Sequence, residues 1–143
     1  MKPDVDQILG LSAGQLMGAL APHLSNIYEI GSATTLGIIL MLSAQEYERA
    51  AEIRAAENAD MRELFRECAE RIEDSALKTK LLKAADTRDA SFRISALNAQ
   101  NAELRRVLIA LQVYCEDKRL SELERRIWTV LKASAERRLL KLA

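Results

Sequence analysis

At 143 residues, 49% apolar, 29% charged, 4% aromatic and formally neutral, the chain has the make-up of one Ala-, Leu-, Glu- and Arg-rich helical domain, and disordered or β-rich folds are disfavoured. The neutrality conceals a gradient: residues 46–74 carry five arginines against ten carboxylates, and residues 75–143 carry a net charge of +7. Antiparallel packing would turn that asymmetry into internal complementarity, which needs neither nucleic acid nor membrane to explain it.

Cys68 and Cys115 sit on apolar helical stripes, outside any CxxC or zinc-ligand spacing. They read as small core residues, and a reducing, cytoplasmic location is expected. Asp4 and Asp6 spoil the basic start a signal peptide requires, and Gly14 and Gln15 interrupt its apolar region. The longest apolar stretch, 36–42, falls short of the ~20 residues a membrane span needs, so no membrane partner is expected.

Asp4 is placed to cap a first helix, with Gln7 reaching back three residues on. Ile8, Leu11, Leu16 and Leu20 form its apolar side. Gly10, Gly14 and Gly18 recur every four residues and share a face, although each costs about 1 kcal/mol relative to Ala within a helix. A face without side chains suits close backbone approach, so these glycines are the candidate close-packing face, onto Ala33 and Gly37 of the next helix. The competing reading, a groove for a flat apolar or acyl ligand, lacks convergent polar groups beside the glycines. Pro22 ends the helix, the lone His23 falls in the connection, and Gly31 and Ser32 punctuate the chain, with Ser32 as the next N-cap.

Residues 36–57 form the central helix, about 33 Å long. Its first part, 36–42, reads as plain core. Its stripe then runs Ser43, Glu46, Ala50, Ile53 and Glu57, which puts two carboxylates on the core side. A break is expected at 58–60 with Asp60 as cap. Met61, Leu64, Phe65, Cys68 and Ile72 then line one face, and Arg62, Arg66, Glu63, Glu67 and Glu70 the solvated one. Ser75 caps a short helix with Leu77, Leu81 and Leu82 inside. The most regular seam follows: Ile94, Leu97, Asn101, Leu104, Leu108, Leu111 and Cys115. Ser121 to Glu124 spells a capping box, and the last helix turns Leu123, Ile127, Trp128, Val130 or Leu131, Ala135 and Leu139 inward. The expected architecture is all-α: one domain over 1–143, an antiparallel bundle of four to six helices with long central ones.

The residues a bundle does not require are Ser43, Glu46, Arg49, Arg54, Glu57 and Asn58 on the central helix and Asn98, Asn101 and Arg105 on the seam helix. A buried carboxylate must be paired, so a polar network is expected, with Glu46 facing Arg105 or an intrahelical arginine. Such a network either fixes helix register and oligomeric state, as a buried Asn does in coiled coils, or lines a pocket. On the register reading, Asn101→Leu raises stability and mixes oligomeric states. No catalytic residue, cofactor or metal site is expected, because one histidine cannot complete a Glu-x-x-His iron set and no phosphate loop or Ser-His-acid grouping can be assembled. The arginine doublets at 105–106, 125–126 and 137–138 are interspersed with glutamates and lack interleaved aromatics, which argues against nucleic acid. A second copy or another protein is the expected partner, with a small apolar ligand as the alternative.

At AQEYERAAEIRAAEN (44–58), preceded by an apolar helix and by Gln15, Leu16 and Met17, the N-terminal half resembles small all-helical bacterial proteins of unassigned function. As a family these are encoded beside acyl-CoA dehydrogenases and aminoglycoside-phosphotransferase-like enzymes. The resemblance implies an accessory role in acyl-CoA metabolism and carries over no catalytic residue.

Overall fold

The computed structural model describes residues 2–141; Met1, Leu142 and Ala143 lie outside the described residues. The described chain is all-α. Helix α1 (Val5–Gly14) runs into a π-helical stretch (Gln15–Leu20) and a 3-10 turn (Ala21–His23), and α2 (Ile27–Ala69), α3 (Ser75–Ala85), α4 (Ile94–Lys118) and α5 (Ser121–Arg137) follow. Contacts divide the chain into two compact units, Met1–Ala50 with Leu140–Ala143, and Ala51–Leu139. The division falls within α2.

Helix α2 is longer at both ends than its punctuation suggests. The Asn26 side chain accepts from the Tyr28 N–H at 2.9 Å, so the helix is capped well before Ser32. Ser32 sits inside it, its hydroxyl donating to the Tyr28 carbonyl at 2.9 Å. The 58–60 step is helical too, because no proline follows Pro22 and the Asn58 side chain finds its partners in the tertiary structure.

In the first unit α1 and the start of α2 meet through small residues. Among its described residues Ala13, Ala21, Ala33, Gly37 and Ala50 are buried. The close-packing glycine is Gly37: a Cβ there would run into the Met17 side chain, with the Ala13 carbonyl oxygen 3.5 Å away. At Gly10, Gly14 and Gly18 a Cβ would meet nothing within 4 Å, so the expected close-packing face is turned away from α2. The side of the first helical arm that packs carries Ala13 and, in the π-helical stretch, Met17 instead. The expected plain core at 36–42 is also corrected, since Leu36 is 53% and Ile39 51% exposed. With α2 beginning at Ile27, its first part is long and apolar enough to satisfy the length and composition of a membrane span, although the sequence pointed to none. Gln45 holds the returning tail at two points, donating to the Lys141 carbonyl at 2.7 Å and accepting from its N–H at 3.1 Å.

The second unit contains the large-residue core. Met61, Leu64, Phe65, Cys68 and Ile72 are buried as their spacing predicts, together with Leu81 and the α4 seam from Leu97 to Cys115. Three edges differ. Ile94 is exposed at the first turn of α4; in α5 the stripe is Leu123, Ile127, Val130 and Ser134, leaving Trp128, Ala135 and Leu139 outside; and Leu82 faces solvent. The cap of α3 is Asp74, accepting from the Leu77 N–H at 2.7 Å, not Ser75. No capping box forms at α5, because Leu120 occupies the cap position and Ser121 is already helical. Arg119 ends α4 in the left-handed region at φ 54°, which lets the Leu120 N–H return to the Cys115 carbonyl at 2.9 Å.

Candidate functional site

The second unit brings polar side chains from α2, α4, α5 and the 86–93 connection into one continuous network. Its hub is Glu57 on α2, 2% exposed. Arg138 donates to both carboxylate oxygens, Nε to Oε1 and Nη2 to Oε2, each at 2.6 Å. Ser134 Oγ donates to Oε1 at 2.7 Å, Asn101 Nδ2 to Oε2 at 3.3 Å, and Arg105 Nη2 lies 3.6 Å away. Burial pushes the Glu57 carboxyl up. The Arg138 and Ser134 hydrogen bonds and the charges of Arg138 and Arg105 outweigh it, and the net pKa lies below the usual carboxylate value.

From the hub the network passes through amides. Asn101 donates to Asn58 Oδ1 at 2.9 Å and accepts from Arg105 Nε at 2.7 Å, while Asn58 donates to Asp89 Oδ1 at 2.9 Å and to the Leu97 carbonyl at 3.3 Å. Asp89 is forked by Arg62, Nη2 to Oδ1 at 2.8 Å and Nη1 to Oδ2 at 3.2 Å. The Arg62 hydrogen bonds, helped by one from Asn58, hold the Asp89 carboxyl below its ordinary pKa. Arg62 and Gln100 both donate to Thr87 Oγ1, at 3.2 and 3.1 Å, and the Thr87 hydroxyl donates in turn to the Ala84 carbonyl. Among the described residues, no buried side-chain nitrogen or oxygen lacks a hydrogen-bond partner.

Of the candidates from the sequence, Glu57, Asn101 and Arg105 meet at the hub, and Arg54 joins Asn98 through a 2.7 Å hydrogen bond from Nε. Ser43, Glu46 and Arg49 belong to the first unit, and the carboxylate that meets Arg105 is Glu57, not Glu46. The spacing of residues missed Ser134, Arg138, Asp89, Thr87 and Gln100, and it assigned Arg62 to solvent although only 8% of that residue is exposed. A readable signal existed for Ser134: the intervals Leu123, Ile127, Val130, Ser134 put a hydroxyl on an otherwise apolar stripe.

No family model, curated protein or solved structure matches the chain.

The arrangement leaves little room for a ligand. The cavity beside Glu57, Arg105 and Ser134 measures about 10 Å³, the space of one water. A wider groove of about 340 Å³ on the α2–α5 side is open to solvent, and two of its three arginines are engaged: Arg126 Nε meets Glu67 at 2.7 Å and Arg71 meets Glu122 at 2.5 Å. Cys68, at its base, is fully buried, and burial first, then the neighbouring Cys115 and Glu67, push its thiol up to about 11. A carboxylate clamped by two cations is a poor proton acceptor and a sealed, protonated thiol a poor nucleophile. What the network can do is fix the register of three helices.

Proposed function

We propose that this is a non-enzymatic helical interaction protein that works by self-association. The observation that carries the reading is the contrast between the two units. The second buries a full set of large apolar side chains, whereas the first, among its described residues, buries only alanines and a glycine and leaves Leu11, Leu20, Ile27, Tyr28, Leu36, Ile39 and Tyr47 more than half exposed. Apolar surface on that scale marks an association site. The resemblance of residues 44–58 supports placing the protein as an accessory component of acyl-CoA metabolism. The alternative, a small apolar or acyl ligand held between helices near the Gly10, Gly14 and Gly18 face and Glu46, has less support, because those glycines face open space and not a neighbouring helix. Size-exclusion chromatography with light scattering tests the proposal: a mass near twice the 16.0 kDa chain is expected at micromolar concentration, and a strict monomer overturns it.

A further inference from the structure

We infer that the helical hairpin of residues 5–47 inserts into a lipid bilayer, with Tyr28 and Tyr47 at the two surfaces and the uncharged turns of α2 between them in the hydrocarbon. The inference goes beyond self-association and stands or falls separately from it. Four observations carry it, all within the first unit.

The first is that the apolar side of this part of α2 is its whole circumference. At 100° per residue, Leu36, Ile38, Ile39, Leu40, Met41 and Leu42 are spread around the axis with no gap wider than about 100°, and Gly37, which meets Met17, stands in that gap. A helix that is apolar all round belongs in the core of a large protein or in a membrane. This one is not in a core. From Ile27 to Ala44 only Ala33 and Gly37 are buried, and Leu36 and Ile39 are more than half exposed. A partner docked on one side would leave the other sides in water, whereas lipid covers every side at once.

The second is length. Tyr28 and Tyr47 are 82% and 54% exposed and stand 19 residues apart, about 28 Å along the helix. That is close to the ~30 Å of a bilayer's hydrocarbon core, at whose surfaces tyrosine rings collect. Charge keeps to the same limits. Glu29 and Glu46 each adjoin one of the tyrosines, and residues 30–45 contain no Asp, Glu, Lys or Arg. The run 7–28 of the first arm is equally free of them, with Asp4 and Asp6 at its start.

The third is the state of the hydroxyls. Ser32 and Thr34 donate to the Tyr28 and Ile30 carbonyls, each at 2.9 Å, so neither brings an unbonded hydroxyl into hydrocarbon.

The fourth is how the two arms meet. Helices in membranes approach through small residues and turn their large side chains to lipid, and here the Ala13 carbonyl and Met17 side chain come against Gly37. Gln15 is the exception, an exposed amide midway along the first arm. Covering one large aliphatic side chain returns free energy of the same order as an unbonded amide costs, and Leu11, Leu20, Leu36 and Ile39 are all more than half exposed, so the apolar side chains outweigh it.

The test uses the full chain. Phosphatidylcholine vesicles should carry the wild type upward in a density gradient, and about 0.5 M salt should not release it, because apolar contact is not screened. Leu36→Asp and Ile38→Asp lie on nearly opposite sides of α2; each alone should lower the partition on the order of 100-fold with helical circular dichroism retained. A fall in only one of the two assigns α2 to a one-sided protein contact and overturns the inference. So does release by salt. A wild type that never floats overturns it too and leaves self-association to the light-scattering result, while a monomer that floats keeps it and overturns self-association. Should the aspartate variants lose their helicity, Ile39→Cys takes their place, because the native thiols are fully buried. An environment-sensitive fluorophore at position 39 should shift to the blue when vesicles are added, and one at Ala102→Cys, on the exposed side of α4, should not. No shift at 39, or equal shifts at both, overturns the inference.

Discussion

Arg138 closes on Glu57 through a two-point fork, each guanidinium nitrogen 2.6 Å from its own carboxylate oxygen, and so ties the end of α5 to the middle of α2. Neutralising the hub in Glu57→Gln removes the fork and leaves Arg105 without its carboxylate. The expected cost is about 2–4 kcal/mol, read as a lower urea midpoint at unchanged slope. In a double-mutant cycle with Arg138→Gln, a coupling near zero would show that the fork contributes nothing beyond its separate residues.

Asn101→Leu is expected to destabilise the protein, by about 2–3 kcal/mol, because Asn101 joins Glu57, Asn58 and Arg105 and leucine can replace none of those bonds. This reverses the expectation drawn from coiled-coil spacing, where a buried Asn pairs across copies and leucine stabilises. Here the partners belong to the same unit. Thermal melts decide it, and a higher Tm in the leucine variant would return Asn101 to the coiled-coil role.

Acid should unfold the second unit through its clamped carboxylates. Glu57, Asp89 and Glu67 all hold pKa values below the ordinary ones, so the unfolded chain takes up protons first as the pH falls. Their stabilisation is complete above the unfolded values of roughly 4 and is lost as pH drops through the lower folded values. Urea midpoints taken from pH 7 to pH 3 should stay level and then fall, and Glu57→Gln should flatten the fall. A wild-type midpoint that climbs on acidification would contradict the pairing.

Two glycines of α2 should respond in opposite ways. A Cβ at Gly31 meets nothing within 4 Å, so Gly31→Ala should add about 0.5–1 kcal/mol of helix propensity. At Gly37 the methyl would displace the Met17 side chain, and Gly37→Ala should gain nothing or lose stability. Pairing it with Met17→Ala relieves the collision. Equal melting shifts for the two single variants would mean that Met17 does not pack there.

What could be read from the chain follows the size of the side chains. Leu97, Leu104, Leu108, Leu111 and Cys115 are large or sealed, and their three-four spacing leaves one face to bury, so the α4 seam was legible. Gly10, Gly14 and Gly18 were misread because a bare backbone says that a neighbour could approach, not that one does; the side that meets Gly37 of α2 carries Ala13 and Met17. Ser32 looked like a cap because its hydroxyl can close a helix end, yet the same hydroxyl bonds the carbonyl one turn back and lets α2 continue. Arg62 and Arg138 were illegible for another reason: long side chains can swing from a solvated helix face to an inward carboxylate, and only tertiary packing decides which way they turn.

Cys68 and Cys115 lie within the second unit, fully covered, with the Cys68 thiol pushed up to about 11. A thiol-exchange reagent at neutral pH should therefore find neither cysteine in the native protein and both after denaturation, and quick modification of the native protein would contradict their burial. Slow modification in between measures how often the second unit opens. The first unit holds no cysteine, so the chain carries a chemical clock that times the breathing of one unit and is silent about the other.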